Sequence, residues 1–397
     1  MRRLSQSPRD PGFARDPYPF YVRAREAGPL FWWEDYGYPC AAGHATVGAL
    51  LRDRRFGREM PGEPKPPRPG HLRDFYAIDD LSLLDREPPA HTRLRGLVLR
   101  SFTSRRIAAL GPEITALAHR LIDGFEGPEV ELITAFAEPL PVIIIARLLG
   151  VPEEMAPRLR LWSHDMVAMY QALRDRGVEE RAAAAAREFA AFLRDHVAAR
   201  RARPGDDLIT HLIAAEEAGD RLSTEELVAT CVLLLNAGHE ATVHAIGNGV
   251  HAILANGADP AALFAEEAAT AATVEEILRF DPPLHLFTRL ALEEVEVFGH
   301  QFRRGETVGC LLAAANRDPA RYAEPDRFDP SRGGAGQLTF GAGIHFCVGA
   351  PLARLELGLA LPALFSRIPR LRLSRPAIFA DRYHFRGLEA MWLRAGN

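Results

Sequence analysis

The feature that most constrains the fold is one long helical segment from Ser223 to about Ala255. Ser223-Thr-Glu-Glu226 has the spacing of a capping box, in which two side chains bond to the free amides at the start of a helix. Asn256-Gly257 is a typical stop signal at the other end. A helix of roughly thirty residues is long enough to cross a whole domain, so we expect the rest of the chain to fold around it.

Helical periodicity also dominates the remaining sequence, most clearly in four segments: Thr92 to Phe102, Ile107 to Phe125, Glu179 to Ala202 and Pro351 to Ile368. Strand patterns are confined to a few places: Pro29 to Cys40, Leu290 to Gln301, Thr307 to Ala313 and the final segment. No internal repeat or low-complexity linker divides the chain. We therefore predict a mainly α (α+β) fold, with residues 1–397 forming one helical domain around a long central helix, with a minor β region.

Composition excludes several functional classes. The net charge of −4 and the lack of long basic runs argue against nucleic acid or an anionic membrane as the main partner. Lys65 is the only lysine and lies among prolines, where neither a phosphate-binding loop nor a Schiff-base site can form. The first residues lack an apolar signal segment and no apolar span of about 18 residues exists, so we expect a cytoplasmic protein without a membrane anchor.

Several common site motifs are incomplete or wrongly spaced in this sequence. His239 and His244 flank Glu240 as in a zinc-protease helix, but five residues turn a helix through about 500°, which leaves the imidazoles roughly 140° apart. Gly341-Ala-Gly-Ile-His-Phe346 begins like a dinucleotide-binding loop but lacks the third glycine. The sequence has no Gly-x-Ser-x-Gly elbow of a serine hydrolase. Neither a disulfide framework nor a zinc ribbon is indicated by the widely spaced cysteines: Cys40, Cys231, Cys310 and Cys347.

The segment Phe340-Gly-Ala-Gly-Ile-His345-Phe-Cys347-Val-Gly349 carries the clearest chemistry. It places a cysteine in a glycine-rich loop before a predicted helix that has Pro351 in its first turn. Free backbone amides and the helix N-terminus would stabilise the Cys347 thiolate, and a soft thiolate suits the iron of a haem. The spacing Phe-x-x-Gly-x-x-x-Cys-x-Gly resembles the haem-binding signature of the cytochrome P450 family. The surrounding chain resembles that family almost throughout.

The resemblance implies a bound haem b (iron protoporphyrin IX) with Cys347 as the ligand of the iron. The glycines, Gly349 among them, let the backbone pass close to a flat ligand, and Phe340 would pack beside the loop. A haem has two carboxylates, which four side chains would bind by charge-assisted hydrogen bonds: His91, Arg95, Arg289 and His345.

Behind the haem loop, the resemblance implies a buried structural network. Glu276-Ile-Leu-Arg279 resembles the Glu-x-x-Arg element of the family, and Arg332 would be the third partner. Glu324-Pro-Asp-Arg327 has the same spacing, but only Glu276 lies in a helical pattern. Removing one member would leave a buried charge without its partner.

In the middle of the long helix, Ala237-Gly238-His-Glu240-Ala241-Thr242 resembles the oxygen-binding groove of the family. Gly238 weakens the helix locally, and this weakness would admit dioxygen and water. Ala237 would face the haem.

The resemblance makes Glu240 the catalytic acid, but Ala241 stands where the family usually has threonine. Thr242 lies about 100° further round the helix. Three explanations stay open: water or a substrate hydroxyl replaces the missing alcohol, Thr242 reaches in through a distorted helix, or the enzyme is poorly coupled or uses peroxide.

The resemblance therefore implies a haem-thiolate monooxygenase that inserts one oxygen atom of O2 into a small or medium apolar organic substrate. The haem domain accounts for the whole sequence, with no fused reductase, so a ferredoxin or flavodoxin with its reductase would supply electrons. These partners would dock behind Cys347, where four arginines are clustered: Arg93, Arg100, Arg105 and Arg106. Two rival functions remain, a peroxide-driven oxygenase and a haem protein that binds or recruits without turnover.

Substrate contacts are the part of the site that the sequence specifies least. The family resemblance places Leu284, Leu286 and Phe287 at the edge of the haem. Two variable segments, Arg58 to Ile78 and Met166 to Arg176, would form the roof of the pocket. The apolar side chains indicate an apolar or aromatic substrate with few polar anchors.

Overall fold

The computed structural model describes residues 1–65, 67–172, 174–217, 222–333 and 336–396. Helices predominate in these ranges, as the sequence predicts. In chain order the α-helices are α1 (Pro11–Arg15), α2 (Tyr18–Glu26), α3 (His44–Arg52), α4 (Arg73–Asp79), α5 (Ala90–Ser101), α6 (Ser104–Ala109), α7 (Gly111–Asp123), α8 (Pro139–Leu149), α9 (Ala156–Val167), α10 (Arg176–Ala202), α11 (Leu208–Glu217), α12 (Thr224–Ala255), α13 (Pro260–Leu263), α14 (Glu267–Phe280), α15 (Leu312–Asn316) and α16 (Ala350–Arg367).

Short strands form four small sheets within the same ranges. The strands are β1 (Arg2–Leu4), β2 (Phe31–Trp33), β3 (Tyr38–Ala41), β4 (Phe56–Gly57), β5 (Glu129–Glu131), β6 (Leu286–Ala291), β7 (Val295–Val297), β8 (His300–Phe302), β9 (Thr307–Leu311), β10 (Arg372–Leu373), β11 (Ile378–Phe379), β12 (Leu388–Ala390) and β13 (Trp392–Arg394). The largest sheet has the order β1-β2-β3-β9-β6-β4. Successive side chains of a strand point to opposite faces, so Phe287 and Arg289 share one face of β6 and Leu286 lies on the other.

Helix α12 is the predicted long helix, and its limits agree with the sequence signals. The Ser223 side chain accepts from the Glu226 amide and the Glu226 side chain accepts from the Ser223 amide, which confirms the capping box. The helix ends at Ala255, and Gly257 has a positive φ of 61°. Helices α8, α9, α10, α14 and α16 pack against α12. Because these neighbours cover most of its surface, α12 forms the centre of the helical layer.

Two predicted elements differ from the observed ones. The segment from Ile107 to Phe125 is not one helix, because Gly111 and Pro112 begin the new helix α7 after α6 ends. Proline lacks the amide that a continuing helix requires. The predicted strand from Thr307 to Ala313 changes into α15 at Leu312.

The core consists of three clusters of buried side chains in the described residues. The largest surrounds α12 and the helices packed on it. A second lies between α3 and the large sheet, and a third is rich in aromatic residues, including Phe13, Phe31 and Trp33. In the ranges that the structure describes, no helix is both long enough and apolar enough to span a membrane.

Candidate active site

Cys347 lies in the loop that leads into α16. Its backbone amide donates to the Phe340 carbonyl oxygen at 3.0 Å, which closes the loop. The Cys347 side chain remains accessible to solvent. The protein atoms around it raise the pKa of its thiol, while the amides of Gly349 and Ala350 lower that pKa in part. These amides belong to the first turn of α16 and are the donors that would stabilise a metal-bound thiolate.

The loop is fixed against α3 by Gly343. This residue has a φ of +73°, and a Cβ atom here would lie 2.4 Å from the carbonyl oxygen of Leu51. A side chain is therefore excluded by backbone conformation and by contact at once. Gly343, which belongs to the haem-binding signature in the sequence, thus also has a packing function.

The predicted carboxylate-binding residues His91 and His345 lie side by side, with ring centroids 4.4 Å apart. The His345 Nε2 atom is 2.8 Å from the Glu87 Oε1 atom. Burial, His345 and Arg95 lower the pKa of His91 to about 4, so its imidazole is uncharged at neutral pH. Arg95 donates from Nη2 to the Phe346 carbonyl oxygen at 2.8 Å. Helix α5 is thereby tied directly to the loop that holds Cys347.

Arg289 is the most informative of the predicted carboxylate-binding residues. Its side chain is 3% exposed. In the described part of the chain its guanidinium donates to the Thr288 carbonyl oxygen at 2.9 Å, and no carboxylate forms an ion pair with it. Burial and the nearby Arg58 lower the pKa of Arg289 to about 10, while Glu87 acts in the opposite direction. A buried guanidinium with free donors requires an anion, and a haem carboxylate meets that requirement.

Helix α12, which carries the predicted oxygen-binding groove, has one accessible face. From Leu227 to Val250 this helix is buried except at Gly238, which is half-buried, and at four other positions: Leu233, Leu234, Ala237 and Ala241. These five residues are spaced three or four apart, so they form one continuous stripe. Ala237 is the most accessible of them. Small side chains on an accessible stripe of an otherwise buried helix leave room for a flat ligand, so the residues present fit a haem.

Glu240 lies next to this stripe and is 7% exposed. Its Oε1 atom is 3.3 Å from Nδ1 of His164 on α9. Burial acts to raise the pKa of Glu240, but the hydrogen bond with His164 and the imidazoles of His244 and His239 together lower it to about 2. The carboxyl group is therefore ionised at neutral pH and is able to accept a proton.

Thr242 is not available to replace the hydroxyl that Ala241 lacks. Its side chain is 4% exposed, and Oγ1 donates to the Gly238 carbonyl oxygen of the preceding turn at 2.9 Å. Helix α12 is continuous through this region. The explanation in which Thr242 reaches in through a distorted helix is therefore wrong, and the other two explanations remain.

The structure brings Glu276, Arg279 and Arg332 together. Arg279 donates from Nε and Nη2 to the Glu276 carboxylate at 2.7 and 2.8 Å, and both side chains are fully buried. The Arg332 Nε atom lies 3.7 Å from Glu276 Oε1. Arg279 also donates to the carbonyl oxygens of Asn316 and Pro325, each at 2.9 Å. The network joins α14 to the segment that leads to the Cys347 loop.

The other segment with the same spacing behaves differently. Glu324 and Arg327 form an ion pair of 3.1 Å whose side chains are 70% and 59% exposed. Exposed pairs contribute at most about 1 kcal/mol. The choice of Glu276 over Glu324, made from the helical pattern and from the family-like spacing to later segments, therefore selects the buried pair.

The three predicted substrate contacts differ in their environment. Leu284 and Phe287 are half-buried, and a Cβ atom on Gly341 would lie 3.5 Å from Phe287, which places Phe287 against the Cys347 loop. Leu286 is fully buried in the aromatic cluster around Trp33. The prediction for Leu286 is wrong, because β6 directs its side chain to the opposite face of the sheet. In the predicted roof segments, Pro66 and Leu173 lie outside the described residues.

The arginines of the predicted docking face are not equivalent. Arg93 pairs with Glu226 and Arg106 with Asp206, so both already have partners within the chain. Arg100 and Arg105 are exposed. Beside them lies an open cleft of about 670 Å³, which is lined by Pro88, Pro89, Thr92, Arg93 and Arg100.

Two residues that contribute to the site were not assigned from the sequence. Glu87 binds His345, and its position four residues before His91 was the one available signal. His164 is 76 residues from Glu240 in sequence. No local pattern marks it, because its proximity depends on the packing of α9 against α12.

Comparison with known proteins identifies the family of the chain. A family model described as Cytochrome P450 matches residues 268–368. The chain is 37% identical over 393 residues to cytochrome P450 monooxygenase PikC of Streptomyces venezuelae, which covers 96% of this chain and 92% of that protein. It is also 37% identical over 378 residues to 6-deoxyerythronolide B hydroxylase of Saccharopolyspora erythraea, with 91% of each chain covered.

A solved structure shows the same architecture. The structure of P450BioI in complex with acyl carrier protein ligated to hexadec-9Z-enoic acid has a TM-score of 0.91 to this chain at 32% identity, with 97% of this chain and 100% of that one covered. The mainly α fold predicted from the sequence is thereby confirmed. The chain belongs to the cytochrome P450 family and is a haem-thiolate monooxygenase.

Proposed function

We propose that the haem is haem b, that Cys347 is its iron ligand, and that Arg289 is the principal partner of its carboxylates. The observation that carries this proposal is the buried Arg289 guanidinium, which has free donors and no carboxylate partner among the described residues. Bound haem supplies the activation of dioxygen, and in this family a thiolate ligand favours cleavage of the O–O bond.

Three further side chains complete the binding of the haem carboxylates. Glu87 orients the His345 ring through its hydrogen bond with Nε2, which leaves the other ring nitrogen for a haem carboxylate. His91 contacts the same ring and offers an uncharged donor. Arg95 holds the Phe346 carbonyl oxygen and adds positive charge beside Cys347. The side chains of His345, His91 and Arg95 thus bind the haem carboxylates and also hold the Cys347 loop in place.

The substrate side of the pocket is apolar. The small side chains of Ala237 and Ala241 leave space beside the accessible stripe of α12. Leu284 and Phe287 are half-buried apolar residues, and they are the proposed substrate contacts across the pocket. Such surfaces bind a small or medium apolar compound and exclude bulk water. Relatives named for 6-deoxyerythronolide B and structures with myristic acid and hexadec-9Z-enoic acid define the first compounds to screen.

Glu240 is the acid of the reaction. Its ionised carboxylate accepts a proton from the solvent side and releases it toward the substrate pocket. Ala241 provides no hydroxyl to hold that proton, and Thr242 is bonded to Gly238. The proton therefore passes through ordered water or through a hydroxyl of the substrate.

We also propose that a ferredoxin or flavodoxin, reduced by its own reductase, donates electrons at the face behind Cys347. The exposed Arg100 and Arg105 and the 45% exposed Leu99 support a partner with acidic and apolar groups. A cytoplasmic location, where such donors are found, is part of this proposal.

Haem content after purification tests the assignment of Arg289. Arg289→Met is expected to lower haem occupancy several-fold, because methionine cannot bind a haem carboxylate. Arg303→Met, an exposed arginine before β9, is the matched control and should retain full occupancy. Equal haem content in Arg289→Met and the wild type would contradict the proposal.

The two rival functions are tested by product analysis and by electron coupling in the wild type and Ala241→Thr. Formation of product from NAD(P)H and O2 would exclude the alternative in which the protein binds haem without turnover. Tight coupling in the wild type with no gain in Ala241→Thr would contradict the peroxide-driven alternative. Poor coupling that Ala241→Thr improves, together with faster product formation from added peroxide, would favour it.

A further inference from the structure

A group of polar side chains lies beside the predicted roof of the substrate pocket. We call it the roof cluster, and its members are Arg58, Asp79, Tyr170 and His384. All four residues are half-buried, and Arg58 interacts electrostatically with each of the other three. Arg58 and Tyr170 belong to the two predicted roof segments, and Asp79 directly follows the first of them. The cluster therefore joins segments that are far apart in sequence.

The roof cluster lies next to the residues that the proposed function assigns to the haem carboxylates. Strands β4 and β6 form an antiparallel ladder, and its register, continued by one residue, places Arg58 opposite Arg289. The Arg58 amide donates to Glu87 Oε1 at 2.7 Å, and the same oxygen atom contacts His345. Arg58 thus lies at the edge of the proposed haem site.

The two predicted roof segments are joined by a hydrogen bond within the cluster. The Tyr170 hydroxyl donates to Asp79 Oδ1 at 2.7 Å. Burial raises the pKa of Tyr170 well above its ordinary value, so the hydroxyl stays neutral. Burial and Asp85 raise the pKa of Asp79 to about 6, which still leaves a carboxylate at neutral pH. Asp79 Oδ2 accepts no hydrogen bond from the residues that the structure describes.

The Arg58 guanidinium uses only part of its set of donors. Its Nε and Nη2 atoms donate to Asp85 Oδ1 at 3.0 and 2.5 Å. Burial acts to lower the pKa of Arg58, but Asp85 raises it above the ordinary value, so the guanidinium is charged. Within the described ranges, Nη1 makes no hydrogen bond. Arg58 therefore offers two unused N–H donors.

His384 brings the C-terminal region into the same cluster. Its carbonyl oxygen accepts from the His285 amide at 3.5 Å, and the next residue, Phe385, pairs with Leu284, a proposed substrate contact. Burial and Arg58 lower the pKa of His384 to about 4, so its ring is uncharged at neutral pH. The ring atom Nδ1 is buried and has no hydrogen-bond partner in the described part of the chain.

The unused donors and acceptors of the roof cluster select one kind of ligand group. An ammonium group only donates, so it would leave the Arg58 donors without an acceptor. A carboxylate or an ether oxygen only accepts, so it would leave Asp79 Oδ2 without a donor. A hydroxyl group both accepts and donates, and it is neutral, which limits the cost of taking it from water into an apolar pocket.

We propose that the roof cluster binds an alcohol group of the substrate, which is therefore an apolar compound that carries a hydroxyl. Arg58 Nη1 donates to the alcohol oxygen, and the alcohol donates to Asp79 Oδ2, which Tyr170 holds in position. The proposal rests on the proposed function, because it places haem and substrate below the roof. One end of the substrate is thereby fixed at the roof, so oxidation takes place at a carbon away from the hydroxyl.

Calorimetric titration of the haem-loaded protein tests the choice of ligand group. The probes have the same apolar chain and are dodecanol, dodecyl methyl ether, dodecanoic acid and dimethyldodecylamine, which is a cation at neutral pH. We expect dodecanol to bind most tightly, with a Kd about tenfold below that of the ether, because a site built for a hydroxyl rejects an analogue that lacks the O–H. Equal binding of alcohol and ether, tightest binding of the acid or the amine, or no binding of dodecanol would overturn the proposal.

A matched pair of variants on α4 tests the contribution of Asp79. Asp79→Leu removes the acceptor, so the preference for dodecanol over its ether should fall to about twofold or less. Asp74→Leu is the control, since Asp74 pairs with Arg187 at the surface, and it should keep the preference of the wild type. A full preference in Asp79→Leu would overturn the role of Asp79.

A crystal structure of the wild type with dodecanol does not depend on the folding of any variant. The hydroxyl should lie within hydrogen-bond distance of Arg58 Nη1 and Asp79 Oδ2, and a hydroxyl bound elsewhere would overturn the proposal. The carbon monoxide difference spectrum separates this result from the function on which the proposal rests. A thiolate-type spectrum without a preference for dodecanol refutes the roof cluster alone, whereas a preference for dodecanol without that spectrum refutes the haem assignment.

Discussion

The two sides of the site satisfy their buried polar groups in different ways. Behind the Cys347 loop, Arg279 and Glu276 are fully buried and bind each other and neighbouring carbonyl oxygens within one network. Along α12, His239 and His244 are almost as deeply buried, but none of their ring nitrogens has a hydrogen-bond partner among the described residues. The first side is therefore rigid by protein contacts alone. The second side leaves these buried ring nitrogens without protein partners in the part of the chain that the structure describes.

The largest effect should come from breaking the network behind the loop. Arg279→Met leaves the buried Glu276 carboxylate without its main partner, and such a loss costs about 3–5 kcal/mol. The free energy of unfolding, measured by urea denaturation, should fall by that amount. Arg327→Met removes the ion pairs of this exposed arginine with Glu324 and Asp329, and it should lower the free energy of unfolding by about 1 kcal/mol or less for each pair. Similar losses in the two variants would refute the contrast between them.

A smaller loss of stability is expected when a side chain is added at Gly387, which lies beside His244 of α12. A Cβ atom on Gly387 would lie 1.9 Å from His244 Nδ1, so Gly387→Ala should cost about 1–3 kcal/mol of stability through overpacking. The double variant Gly387→Ala, His244→Ala should recover part of this loss, because the clashing ring is gone. Gly358→Ala, where the nearest atom is 4.0 Å away, is the control. No recovery in the double variant would show that His244 is not the obstacle.

Glu356 on α16 differs from Glu276, because it forms no ion pair with any of the described residues. It is 2% exposed, and burial raises its pKa from the ordinary 4.5 to about 8. The folded state then holds a proton that the unfolded state has lost, so the contribution of Glu356 to stability is fully present below pH 4.5 and is lost as pH rises toward 8. The slope should be about 1.4 kcal/mol per pH unit.

Unfolding of the wild type and Glu356→Gln at a series of pH values measures this slope. The variant should lose the part of the pH dependence between pH 5 and 8 and be the more stable protein at pH 8. Parallel curves for the two proteins would mean that Glu356 keeps its ordinary pKa.

The sequence predicts the Cys347 side of the site better than the distal side, for a physical reason. The residues of the Cys347 loop are contiguous, and Glu276 and Arg279 are three residues apart, so the geometry of each follows from one turn or one helix. The capping box of α12 is equally local, and it is confirmed. The fold class was predictable on the same basis, because helical periodicity extends over most of the chain.

Features that depend on packing were missed or misjudged. His164 meets Glu240 across two helices, and Leu286 differs from Phe287 only in the face of β6 that it occupies. The hydroxyl of Thr242 is held by a backbone carbonyl of its own helix, which the rotation of 100° per residue does not reveal. Each of these facts requires knowledge of which surfaces come together in three dimensions.

The central claim is that Cys347 is the ligand of the haem iron. The carbon monoxide difference spectrum of the dithionite-reduced protein, measured beside that of Cys347→Ser, tests it most directly. The wild type should give the red-shifted Soret band typical of a thiolate ligand, and Cys347→Ser should lose it. A histidine-type band in the wild type, or a thiolate-type band that persists in Cys347→Ser, would contradict the assignment.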